Sequence, residues 1–305
     1  MKKLILLVFV VGPLFFSADL FAQVNKAAVI VEWFPCIVYV DDDYDENTPG
    51  WGYDHFDNIL DGIDAVQIHG TVYVYTGDYY ELGSVIIYKP LDLIGENRVS
   101  TIISNWGDFI VDIAANGVNV CDFTILSSKL GISTACVYVS SDSCTITGNI
   151  ITRSPSGLGK GIALRYAEHN LIHGNVISNA YWGVQTCTWT QSNIIVDNLI
   201  IGNEIGAWIC CSPGPDLFYH NNFIDNYDHA WVDWGITSNT EWDNGYPEGG
   251  NFWDDYEGVD EFSGPGQNIP GSDGIGDSPR LIPEYETQDD YPLMNQWIGQ
   301  ELFID

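Results

Sequence analysis

Glu204 and Asp228 are carboxylates 24 residues apart in a stretch whose sequence repeats every 23. If each repeat is one layer of a stack, the two fall on neighbouring layers. That spacing suits the paired carboxylates of glycoside cleavage, which stand about 5 to 9.5 Å apart. Asp233 and Arg165 are further catalytic candidates, and Arg153, Lys160 and Arg165 are the basic side chains of the later repeats that a lyase would set against a uronate. Trp208 and Trp231 point to binding instead, sharing the 23-residue spacing with Gln185 in the same phase and Trp182, Trp189 and Trp234 close in sequence. Flat aromatic faces pack against the apolar face of a pyranose while neighbouring Gln and Asp bond its hydroxyls. The alternative is that a loop or the C-terminal tail covers these rings.

Metal chemistry has three possible homes. Asp41, Asp43 and Asp45 alternate, and Asp273 and Asp277 bracket two turn glycines, so both loops offer the hard oxygens that calcium prefers. Neither completes an EF-hand, and a solvated acidic turn is the competing reading. Copper needs His, Met or Cys converging on one ion. Met294 is the one methionine besides Met1, and His169 and His173 are about 13 Å apart if the chain is extended. His220 comes two layers later, about 9 to 10 Å away by stacking, so copper is given no site. Cys187 and Cys210 are 23 residues apart and would be neighbours on adjacent layers, either as a disulfide or as two stacked thiols. Cys36, Cys121, Cys136, Cys144 and Cys211 lack the C-x-x-C spacing of a zinc site and are assigned no metal.

What must position these side chains is the repeat itself. LIHGNVISN (Leu171 to Asn179), IIVDNLIIG (Ile194 to Gly202) and LFYHNNFID (Leu217 to Asp225) align with Asn175, Asn198 and Asn221 in one phase, and Asn149 precedes them by 26 residues. Within each period the apolar residues alternate (Ile162 and Leu164, Val184 and Thr186, Ala207 and Ile209, Ala230 and Val232), which is the period of a strand. Short strands joined by Gly and Asn turns at a fixed period predict a parallel β-helix with seven or eight coils between Thr71 and Asn244. Asn149, Asn175, Asn198 and Asn221 are then structural corner residues, tolerant of left-handed backbone and able to bond from coil to coil. Phe56, Ile59, Leu60 and Ile63 follow i, i+3, i+4, i+7 and predict a short amphipathic helix that covers the N-terminal end.

The 305 residues carry 42 acids against 10 Lys and Arg, a formal charge of −32, which disfavours nucleic acid and anionic membrane as partners. Lys2 and Lys3, the apolar run Leu4 to Phe16 and the small residues up to Ala22 read as a secretory signal peptide cleaved after Ala22, with no later segment long enough for a membrane anchor. Four regions follow: 1–22 signal peptide, 23–70 N-terminal segment with the capping helix, 71–244 repeats, and 245–305 an acidic, aromatic C-terminal cap.

VYVDDDYDENTPGWGYDHFDNILDGIDAV, TVYVYTGDYYE, the N-x-I repeats and the tail GGNFWDDYEGVD with SDGIGDSPRLIP and DDYPLM together resemble the NosD-like group of secreted β-helix proteins. The resemblance implies a right-handed, pectin-lyase-like solenoid in the periplasm or outside the cell. It also implies either copper delivery to nitrous oxide reductase or the carbohydrate binding and sugar hydrolysis associated with this repeat class. Weighed against the side chains, the leading expectation is a monomeric exported module that recognises a glycan or cell-surface partner along its lateral face, with Trp208, Trp231, Gln185, Trp182 and Trp234 as contacts. A polysaccharide lyase or glycoside hydrolase is the second expectation, and a copper-maturation or purely structural role the third.

Overall fold

The computed structural model describes residues 34–129, 131–153, 158–211, 214–233, 239–282 and 287–299. The expected signal peptide and Trp234 lie outside the described residues. From Gly70 to Val232 the chain runs through repeated coils of three short strands, and every third strand joins the same parallel sheet. The third of these sheets has seven strands, one from each complete coil. This is a right-handed parallel β-helix, the hand that parallel crossovers adopt.

Register follows the sequence period. In the first sheet Ile146 pairs with Ile172, Ile172 with Ile195, and Ile195 with Phe218, all fully buried. The inward column of the third sheet is Val111, Val137, Ile162, Val184, Ala207 and Ala230. It narrows to alanine in the last two coils, and in the last of them Phe218 and Phe223 replace isoleucine on the other two sheets. A close-packed interior requires such a trade in volume. Trp253 stacks on Phe223 at 4.3 Å and Trp242 on Phe218 at 4.9 Å, closing the C-terminal end with buried rings.

The corners divide a task that the sequence pattern assigns to Asn alone. Positive φ falls on the preceding residue: Gly148 at 68°, Gly174 at 64°, Asp197 at 57° and His220 at 56°. The Asn then turns inward. Asn149 donates to the side-chain oxygen of Asn175 (3.1 Å), Asn175 to Asn198 (3.0 Å) and Asn198 to Asn221 (2.9 Å), all four being fully buried. Two shorter ladders serve the other corners: Asn170 to Asn193 to Asp216, and Asn203 to Asn226. Each inward amide also donates to a main-chain carbonyl of a neighbouring coil, such as Asn198 to Ile172, and so satisfies groups that burial would otherwise leave unpaired.

Sheet pairing extends past both expected limits of the repeat. Ile37–Val40 pairs with Gly70–Val74 upstream, and Phe252–Trp253 pairs with Asn222–Ile224 downstream. The helix runs from Ile59 to Ala65, shorter than the apolar pattern suggests, because His55–Phe56 is a strand and Asn58 accepts from the Asp61 N–H as N-cap. Ile59 and Ile63 are fully buried, and Gly62 approaches Val40 closely enough that a Cβ would meet it at 2.7 Å.

Candidate functional site

The outer face of the third sheet collects the side chains with chemistry. A glycine column, Gly161, Gly183 and Gly206, opens its strands, and a Cβ at Gly183 would stand 2.5 Å from the Gly206 carbonyl oxygen. With side chains excluded there, Trp182 lies against Trp208, rings 4.0 Å apart and 18° from parallel. The Lys160 amine sits over Trp182, 5.5 Å from its centroid, and the Trp208 indole N–H donates to Asp233 at 3.3 Å. Gln185 pairs with Trp208, and Trp208 with Trp231, on successive rungs.

Not all of the expected contacts are open. Trp182 is 8% exposed and Gln185 7%, the latter donating to the Cys210 sulfur at 3.5 Å. These two back the face, while Trp208 and Trp231 are half-buried and Trp189 is exposed. The Arg165 guanidinium stacks over exposed Tyr166, which extends the aromatic strip toward the earlier coils.

One rung position further along the same strands, Arg165, Cys187 and Cys210 form a column. All the cysteines are free thiols. Cys211 adopts φ 53°, and the sulfurs of Cys187, Cys210 and Cys211 lie within 4.8 Å of one another. They are the one group of three or more His, Cys, Asp or Glu ligand atoms this close among the described residues. The hydrogen bond from Cys210 pulls the Cys187 thiol down to about 6, helped by Thr188, Arg165 and Lys160 and opposed by burial. Cys210 moves up because it holds the shared proton beside that thiolate. The 23-residue spacing identifies Cys187 and Cys210 as neighbours; Cys211 escapes such a reading because a left-handed turn, invisible to strand alternation, brings it in.

A second cluster crosses three coils on the first sheet's corner. His173 Nε2 is 3.0 Å from Asp197, which His220 Nδ1 approaches at 3.7 Å. Trp297 stacks on His220 at 3.5 Å, and the other His220 nitrogen meets the Glu248 carbonyl at 2.7 Å. Burial raises the Asp197 carboxyl, but His220 and His173 more than offset it and hold it below the usual range. The period predicts His220 and Asp197 on one corner column, yet treating the histidines alone leaves out the carboxylate between them.

The four catalytic candidates do not converge. Glu204 and Asp228 sit at the start of the third sheet, whereas Asp233 is at the far end of the Asp228 strand and bound to Trp208. Arg165 is three rungs from Asp233, about 14 Å at strand spacing. The acidic loops are held by their own backbone. Asp41 accepts from Asp43 N–H, Asp45 from Asn47, Asp273 from Gly264 and Ile275, and Asp277 from Glu261 and Phe262.

The strands and their pairing define an all-β solenoid, a right-handed parallel β-helix. Residues 95–258, more than half the chain, match the family described as periplasmic copper-binding protein (NosD), and the chain belongs to that family. No curated protein matches it. Among solved structures, ORF18 of Geobacillus virus E2 is similar at 12% identity and a TM-score of 0.47, over 61% of this chain and 42% of that one. The pectin methylesterase PemA from Erwinia chrysanthemi shares 12% identity at a TM-score of 0.37, over 66% and 82% of the two chains. The pectin methylesterase from Aspergillus niger shares 10% at 0.41, over 69% and 85%. No activity is carried over from likenesses at this level of identity.

Proposed function

We propose that this protein is an exported recognition module that holds a neutral glycan, free or on a cell-surface partner, against the outer face of its third sheet. The observation that carries this reading is the pair Trp208 and Trp231 on adjacent rungs, with Trp208 fixed from behind by Trp182 and at its N–H by Asp233. A ring held as Trp208 is loses little entropy on binding, and pyranose faces match indole in shape and polarity. The −32 charge disfavours anionic polysaccharide unless a cation bridges it. The periplasmic description of the family agrees with the leader expected from the sequence at Lys2 to Ala22 and supports a place outside the cytoplasm.

The test is a neutral-glycan array followed by calorimetry on the best ligand. Trp208→Ala and Trp231→Ala are each expected to weaken binding by roughly tenfold, the size of one aromatic contact. Retained affinity in both variants removes the reading, and release of reducing sugar by the wild type replaces it with hydrolysis.

A further inference from the structure

We propose that Cys187 and Cys210 form a dithiol that exchanges with small anionic disulfides, Cys187 attacking and Cys210 resolving. The two residues pair in register on adjacent strands. Strand spacing of about 4.8 Å lies inside the Cα range of about 4.4–6.8 Å that a disulfide spans. Their sulfurs and that of Cys211 lie within 4.8 Å of one another, so rotation about χ1 carries one toward the other. The turn that ends these strands takes positive φ at Tyr166, Thr188 and Cys211, and it leaves Cys211 exposed at the rim. Cys187 is half-buried and Cys210 buried. Solvent therefore reaches the first and not the second, an order that suits an attacking and a resolving thiol.

The surroundings fit an attacking thiolate, since reactive cysteines sit in partly exposed, electropositive places. Arg165 occupies the rung beside Cys187, and the Lys160 amine acts on both Cys187 and Cys210. In a chain of 42 acids and 10 Lys and Arg, two basic side chains beside these thiols are a local reversal of sign. They favour the Cys187 thiolate, as do the Cys210 thiol and the Thr188 hydroxyl, 3.2 Å from the Cys187 sulfur. They also select the substrate, because salt screens charges beyond about 8 Å and leaves these cations to meet its carboxylates. In the first step the Cys187 thiolate attacks one sulfur of a disulfide R–S–S–R′. A bond from Cys187 to S–R forms, the substrate S–S bond breaks, and R′–S⁻ leaves with the electron pair and takes a proton from water. In the second step Cys210 attacks the Cys187 sulfur, its proton passes to the departing R–S⁻, and the protein disulfide closes. Two electrons have moved from the dithiol to the substrate, which ends as two thiols. The site is independent of the glycan reading, since neither Trp208 nor Trp231 takes part.

The experiment mixes the reduced protein with oxidised glutathione and follows the products by mass spectrometry with peptide mapping. The wild type is expected to end with a Cys187–Cys210 bridge, no glutathione on either residue, and two glutathione thiols released for each bridge. Cys210→Ser should stop at a mixed disulfide of Cys187 with glutathione, and Cys187→Ser should lose both adduct and bridge. Cys211→Ser, like Cys36→Ser and Cys121→Ser, should still form the bridge. Cystamine, a cationic disulfide, should react roughly tenfold more slowly than oxidised glutathione, and Arg165→Gln should shrink that preference. The wild-type map needs no substitution, so it decides the matter even where the buried Cys210→Ser fails to fold. Glutathione left on Cys187 without a bridge overturns the proposal, as does a bridge from Cys187 to Cys211 or its loss in Cys211→Ser. So does cystamine reacting as fast as oxidised glutathione.

Discussion

Asn221 donates its side-chain amide to Asn251 across 2.9 Å, thirty residues on, where the two preceding rungs of the same ladder span twenty-three. The corner ladder therefore continues into the cap after the sequence period has ended. Asn251 in turn donates to the Phe218 and Trp242 carbonyls, and its own N–H bonds Asp289. The cap is tied to the last coils by the same hydrogen bonds that join coil to coil.

Asn251→Ala removes both donors and the acceptor that serves the Asn221 N–H and amide. Each buried group left unpaired costs about 1–3 kcal/mol, so a loss of at least about 3 kcal/mol is expected in urea unfolding. Asn251→Asp keeps the acceptor and loses the donors, and should fall between the two. An Ala variant as stable as wild type would show that the cap holds without the ladder.

The repeat was legible because burial imposes it: Ile172, Ile195 and Phe218 face one core, and their spacing in sequence is the circumference of a coil. Trp208 beside Trp231 and Cys187 beside Cys210 follow from the same ruler. Depth was not legible. Gln185 and Trp182 belong to the third sheet's strands with their expected neighbours, yet each is covered by them, and alternation alone cannot tell a covered residue from an open one. Turns hid the rest. Cys211 joins its partners through a positive φ, and Asp197 meets His173 from a corner rather than from a strand.

Two glycines should respond to alanine for different reasons. At Gly183 the new Cβ meets the Gly206 carbonyl oxygen at 2.5 Å, and backbone cannot swing aside, so a loss of about 1–3 kcal/mol or more is expected. At Gly202 nothing lies within 4 Å, and only the φ of 65° is strained, so the loss should stay near about 1 kcal/mol. Thermal melts of both variants check the order; a smaller effect at Gly183 would mean that the strands shift to make room.

Trp182 and Trp231 should separate stability from binding. Trp182→Ala empties a nearly buried site under Trp208 and is expected to cost about 3 kcal/mol. Trp231→Ala removes a half-buried ring and should change the melting temperature less while abolishing most glycan affinity. The reverse pattern, with Trp182→Ala stable and Trp231→Ala unfolded, would place the supporting ring at Trp231.

Asp289 gives the molecule a pH dependence with a definite sign. Burial pushes its carboxyl up to about 7, against the Asn251, Trp253 and Tyr291 N–H donors that favour the ionised form. A folded value above the unfolded one means that the native state holds a proton which the unfolded chain has released. The stabilisation is full below about pH 4, declines as pH rises, and is gone above about pH 7, with an upper bound of about 4 kcal/mol. Urea midpoints at pH 5 and pH 8 should therefore differ more in wild type than in Asp289→Asn, which cannot ionise. Because the other 41 acids titrate in both proteins, the difference between the two slopes isolates this carboxyl. Equal slopes would mean that Asp289 stays ionised throughout, held by its three N–H donors.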